Sequence, residues 1–120
     1  MKLSEHFSRS EFACSCGCGF DTVDAELLEI LEGVRDYFRR PVIINSAARC
    51  LKHNCSPEVG SNDNSQHVLG KAADIRIPGE PPMHVAEYLE NHYPNSCGIG
   101  RYPDFTHIDC RDEKARWSMA

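Results

Sequence analysis

The sequence predicts an α+β domain: a small, largely antiparallel sheet with its helices packed to one side. Two observations predict it. The recognisable elements run in the order helix, strand, loop, strand, helix, strand, strand. Only the connection through the second helix suits a parallel crossover, and the last two strands read as a hairpin. At 120 residues the chain is expected to form one domain over residues 1–120, with no room for a second module.

Taken in order, Ser8 to Phe12 opens with hydroxyl residues at cap positions and reads as a short helical turn that pins Phe7 and Phe12 into the core. Cys14 to Phe20, with Gly17 and Gly19, reads as a loop. The first long helix is expected from Asp24 to Arg39. Thr22 or Asp24 can cap it, Glu26 and Glu29 suit its positive end, and Pro41 stops it. Leu27, Leu28, Leu31, Val34, Tyr37 and Phe38 recur at helical steps and form its apolar face. Val42-Ile43-Ile44 reads as a buried strand delivering Asn45 to Arg49, and Cys50 to Asn64 as a long polar loop that shapes a pocket. Ala72 to Ile77 reads as a strand with alternating faces, ended by Pro78-Gly79. Pro81 to His92 is the second helix, with Val85, Tyr88 and Leu89 inward. Gly98 to Tyr102 and Phe105 to Cys110 are the hairpin strands around Pro103-Asp104, and Arg111 to Ala120 reads as a polar tail.

Composition narrows the function. The net charge of −5 and the lack of a basic cluster argue against nucleic acid as a partner. No apolar run has membrane-spanning length, so no membrane insertion is expected. No apolar segment follows Lys2, so no signal peptide is expected either, and the chain is expected to stay cytoplasmic until released. A monomer is the expectation. Seven cysteines make an odd count, and without an export signal the default is reduced thiols. The single-residue spacing of Cys14, Cys16 and Cys18 suits a zinc knuckle less well than a tight turn.

The chemistry concentrates in two stretches. His67 and Asp74 stand in a polar, small-residue setting, and His107 lies downstream. Two neutral nitrogens and one carboxylate oxygen are a usual protein set for a catalytic Zn2+, with a fourth position left for water, although cobalt, nickel or manganese would also accept them. Asp104, three residues before His107, is the candidate base for the attacking water and acid for the departing amine. Arg49, after the first strand, is the candidate cation for an oxyanion or a substrate carboxylate. His107 and Asp109 project from the same strand face, so Asp109 is either an outer partner that orients the imidazole or an alternative ligand. Gly70, Gly98 and Gly100 fit close backbone approach or unusual dihedrals. His6, His84 and His92 read as ordinary surface or core residues, and His53 as a secondary candidate for substrate contact.

Ser65-x-His67-x-x-Gly70-x-Ala72-x-Asp74, then Gly98-x-Gly100-x-Tyr102, then His107-x-Asp109 resemble the D-alanyl-D-alanine carboxypeptidase family of zinc peptidases (peptidase M15), which includes phage L-alanyl-D-glutamate endopeptidases. Asn45 to Arg49 is similar to the family's Ser-Gly-Tyr-Arg segment, and the cysteine-rich opening is similar to the start of small phage and prophage members. The resemblance implies His67, Asp74 and His107 as zinc ligands, Asp104 as catalytic base, Arg49 as the substrate or transition-state arginine, and Ser65 near the substrate carboxylate. It implies the fold shared with the hedgehog signalling domain. It also implies hydrolysis of bacterial peptidoglycan stem peptides at a bond involving a D-amino acid, by a lysis enzyme or a virion component. Ala47-Ala48 departs from Gly-Tyr before the arginine, and the base is Asp where several relatives carry Glu.

Two rival readings remain at this level. One is a non-catalytic, zinc-stabilised binding module of the same fold. The other is a disulfide-rich secreted protein.

Overall fold

Asp24 starts the first helix by a local device. Its carboxylate accepts from the Glu26 N–H at 2.8 Å, and α1 runs Ala25–Phe38. The helix stops at Arg39, which adopts a left-handed conformation (φ 55°) and donates its N–H back to the Arg35 carbonyl at 3.0 Å. In the computed structural model, residues 2–13, 23–47 and 70–119 are described. The expected Cys14–Phe20 loop and Cys50–Asn64 loop lie outside them.

The apolar stripe of α1 differs in part from the expectation. Leu27, Ile30, Leu31 and Val34 are buried, whereas Tyr37 is 65% exposed. Ile30 completes the i, i+3, i+4, i+7 set with its neighbours. Tyr37 lies past the edge of that stripe and packs its ring on Tyr88, at 4.4 Å between centroids. Before α1, a 3-10 turn spans Arg9–Phe12, with the Ser8 N–H donating to Glu11 Oε2 at 2.6 Å. It buries Phe7 and Phe12 as expected.

Five strands form one mixed sheet: β1 Ile43–Ser46, β2 Ala72–Arg76, β3 Gly98–Arg101, β4 Thr106–Asp109 and β5 Ala115–Ser118, in the order β1-β2-β4-β3-β5. The second helix, α2 (Pro82–His92), connects β2 to β3. β2 and β3 each pair antiparallel with β4, so they run the same way with β4 between them. The crossover through α2 is therefore present, and β3–β4 is the expected hairpin. The class is α+β, as the element order indicated.

Two strand readings are corrected. β1 is not a buried strand: it extends to Ser46 and Ile43 is exposed, because β1 is the sheet's edge. β2 alternates its faces as expected, with Ala73 and Ile75 toward the core and Asp74 away from it, and residues 72–75 are all buried because the strand is flanked on both sides. The expected polar tail contains β5, which pairs parallel with β3.

Strand pleating sorts the side chains by face. Ala73, Ile75, Ile99 and Ile108 join Leu27, Leu31, Val34, Val85 and Leu89 in the core beneath the helices. On that same face Thr106 Oγ1 donates to the Pro82 carbonyl at 2.9 Å and Arg101 pairs with Glu90 at 2.6 Å, fastening α2 to the hairpin. Burying each large aliphatic there contributes about 1.5–3 kcal/mol. The opposite face carries Asp74, His107, Asp109, Gly98, Gly100 and Trp117. Among the described residues, no helix is long and apolar enough to cross a membrane.

Candidate active site

The register of the sheet assembles the site. Ser46 lies opposite Asp74, Asp74 opposite His107, His107 opposite Gly100, and Gly100 opposite Trp117. The entry to β2 is set by Gly70, whose positive φ of 71° only a glycine adopts readily and whose carbonyl accepts from the Asp24 N–H at 2.8 Å. The start of α1 is thus bonded to the residue that leads into Asp74's strand.

His107 is 8% exposed and has an acidic partner at each ring nitrogen. Nδ1 lies 2.9 Å from Asp74 Oδ1, and Nε2 lies 2.8 Å from Asp109 Oδ2. Burial alone would lower the imidazole's pKa, but the bonds to Asp109 and Asp74 outweigh it and raise the value above 6.5.

Asp109 is fully buried and saturated with donors. Its Oδ1 accepts from the Gly98 N–H at 3.0 Å and Arg111 Nε at 2.7 Å, and its Oδ2 accepts from Arg111 Nη2 at 2.7 Å. Burial would push this carboxyl upward, but the bonds from His107 and Arg111 hold it well below the usual carboxylate range. Asp109 is therefore a fixed anion, and its outer-partner role, one of the two alternatives expected for it, is the one this geometry supports. Gly98 makes room for it, because a Cβ there would fall within 2.7 Å of Asp109 Oδ1.

This arrangement suits a metal ion. A neutral imidazole carries one N–H. With that hydrogen on Nε2 toward Asp109, Nδ1 presents a lone pair directly to the Asp74 carboxylate. Two such acceptors 2.9 Å apart call for a cation or a shared proton. Two ligands of one tetrahedral zinc stand about 3.3 Å apart at bond lengths of about 2.0–2.2 Å, so a small opening of the pair admits the ion. The carboxylate on the far nitrogen is the partner that ligand histidines usually have.

Two other clusters of potential ligands are spoken for. Glu32 accepts from Ser4 Oγ, the His6 N–H at 2.7 Å and the His6 ring at 2.7 Å, which ties the N-terminal segment to α1 beside Asp36. Asp24 caps α1, and neighbouring Cys110 is a buried free thiol whose pKa burial pushes up to about 12.

Asp104 lies in the β3–β4 turn, exposed, and bonds to no other described residue. Arg49, His53, Ser65 and His67 lie outside the described residues. Two residues went unrecognised in the sequence. Arg111 chelates Asp109, and Trp117 packs against His107 with 5.0 Å between ring centroids. The Asp109-x-Arg111 spacing was the one local signal for the first; the second had none in a stretch read as a tail.

The family model for Peptidase M15 matches residues 5–109. The chain belongs to the Peptidase M15 family. No curated protein matches it. Members of this family are generally zinc-dependent, which agrees with the donor set at His107 and Asp74. The match ends on Asp109, so Arg111 and Trp117 lie outside the matched residues.

Proposed function

We propose that this M15 peptidase is a zinc-dependent hydrolase of bacterial peptidoglycan stem peptides, cutting at a bond that involves a D-amino acid. The observation that carries the reading is the buried imidazole of His107, held between Asp74 on one nitrogen and Asp109 on the other, in a chain of a peptidase family. His67, Asp74 and His107 hold the metal. When bound, zinc supplies a Lewis acid at the scissile carbonyl and acidifies water.

The chain's own residues do the rest. Asp109 accepts the Nε2–H and so keeps Nδ1 free of hydrogen. Asp104, exposed beside the strand that carries His107, takes the proton of the attacking water and returns it to the departing amine. Arg49 balances the developing oxyanion or anchors a substrate carboxylate, and Ser65 contacts that carboxylate. The protein acts as a monomer on the cell wall, as a phage or prophage lysis enzyme or virion component, by D,D-carboxypeptidase or L-alanyl-D-glutamate endopeptidase cleavage.

The test is digestion of purified peptidoglycan with mass analysis of the fragments, alongside zinc content. Wild type releases stem-peptide fragments. Asp104→Ala keeps its zinc and loses about 10²–10⁴-fold in rate. Full activity in Asp104→Ala would remove its assigned role. A wild type that holds zinc yet leaves the wall intact would favour the non-catalytic binding module.

A further inference from the structure

The family match ends at Asp109, and the face that carries His107 is completed by residues after it. β5 runs parallel to β3 as an edge strand, with Trp117 opposite Gly100. Gly100 has no side chain, and a Cβ there would run into the indole, within 2.8 Å of Cζ2. The indole therefore lies across β3 and reaches the imidazole of His107 on β4, tilted at 47° with centroids 5.0 Å apart.

The indole is itself fixed. Its Nε1–H donates to Tyr102 Oη at 2.9 Å. The Arg111 guanidinium stands 5.6 Å over its ring, and that same guanidinium grips both oxygens of Asp109. Arg111 thus touches the two residues that flank His107 on this side. Trp117 is half-buried and lies outside the hydrophobic core, which is on the other face of the sheet. β5 does not depend on it for attachment. Arg116 points to the helix face and donates to the carbonyls of Cys97 at 2.7 Å and Tyr93 at 2.7 Å, and the backbone pairs with β3 throughout.

The torsion that sets a histidine ring's plane is broad and weakly preferred on its own. Rotation about Cβ–Cγ swings the ring, and the hydrogen bonds at its two nitrogens oppose that rotation only while both are made. A flat side chain against the ring face opposes it without using either nitrogen. We propose that Trp117 is a positioning residue that holds the His107 ring in its metal-binding plane, with Tyr102 and Arg111 fixing the indole. This rests on the reading of His107 and Asp74 as metal ligands.

The experiment measures zinc affinity by chelator competition at one pH, for wild type, Trp117→Ala, Trp117→Phe and Tyr102→Phe. Supporting partners of a ligand histidine are worth about 10–100-fold in metal affinity, and Trp117→Ala is expected to lose that much. Trp117→Phe, which restores a flat ring, recovers most of it. Tyr102→Phe, which only frees the indole, shows a smaller loss. A second readout separates this inference from the reading beneath it. Trp117 is the sole tryptophan, so added cobalt(II) is expected to quench its emission in wild type and not in His107→Ala. Absence of quenching in wild type would overturn the metal reading and this inference together. Quenching in wild type, with wild-type zinc affinity in a Trp117→Ala that keeps the native circular dichroism spectrum, would overturn the inference alone. If Trp117→Ala does not fold, wild-type zinc affinity in a Tyr102→Phe whose shifted tryptophan emission shows the indole freed overturns it.

Discussion

Changing Asp109 to Asn keeps the shape of the side chain and removes its charge. The native carboxylate accepts at both oxygens, from Gly98 and Arg111 on Oδ1 and from His107 and Arg111 on Oδ2. An amide must turn an NH2 toward one of these donor sets. On the Oδ1 side it faces the Gly98 N–H and Arg111 Nε; on the Oδ2 side it faces Arg111 Nη2 and the His107 N–H. The second conflict eases if the imidazole moves its hydrogen to Nδ1 and donates to Asp74, which covers the lone pair that a metal needs. Removing one partner of a buried ion pair costs about 3–5 kcal/mol. The Arg111 side chain is 34% exposed and can recruit water, which puts the expectation at the low end, about 3 kcal/mol. For a chain of this size that lowers the melting temperature by roughly 10–15 °C. Zinc affinity is expected to fall about 10–100-fold as well. Thermal melts followed by circular dichroism, with and without chelator, measure the first, and chelator competition measures the second. A variant that melts within a degree or two of wild type and binds zinc equally well would refute the claim that Asp109 is a fixed anion serving His107.

The site's protonation predicts the effect of pH on the metal. His107 is raised above 6.5 in the metal-free protein, so its contribution to stability is full below that value and is lost as pH rises through the folded pKa. Asp109 is depressed from 3.8, so its contribution is present above that value and is lost only as pH falls into strong acid. Zinc takes only deprotonated imidazole, so the rise in melting temperature on adding saturating zinc is expected to be larger at pH 8 than at pH 6; the reverse order would contradict the assignment. Gly100→Ala places a methyl group against the Trp117 indole, and overpacking of this kind costs about 1–3 kcal/mol. Denaturant titration should show that loss together with a shift in tryptophan emission, and an unshifted emission would mean that the indole does not lie across β3.

What could be read from the sequence was what is locally specified. α1 carries its own start at Asp24 and its own stop before Pro41, and both were legible. The hairpin of β3 and β4 was legible from its glycines and its Pro103-Asp104 turn. Donor chemistry and the motif resemblance together put Asp74 and His107 in one candidate site, and the sheet register sets them opposite each other. β5 was illegible for a physical reason. An edge strand needs no alternating apolar run, and its two sides are occupied by Arg116, which reaches carbonyls on the helix face, and Trp117, which packs on a histidine. Tyr37 falls outside the expected stripe because helical spacing identifies a stripe but not where its edge falls. Ile43 is exposed against expectation because a short apolar strand reads the same at a sheet's edge and at its centre.

The line Ser46, Asp74, His107, Gly100, Trp117 draws one residue from each of the five strands. Its two ends lie far apart along the chain, so no fragment or local hairpin can assemble it, and it exists only once the last strand has docked. Loop-closure entropy is met across the whole sheet before this line forms. The binding free energy of any ion held there is then shared by every strand rather than confined to the two that carry the ligands. Occupancy acts as a clasp on the finished fold, and fraying at either outer strand loosens the centre.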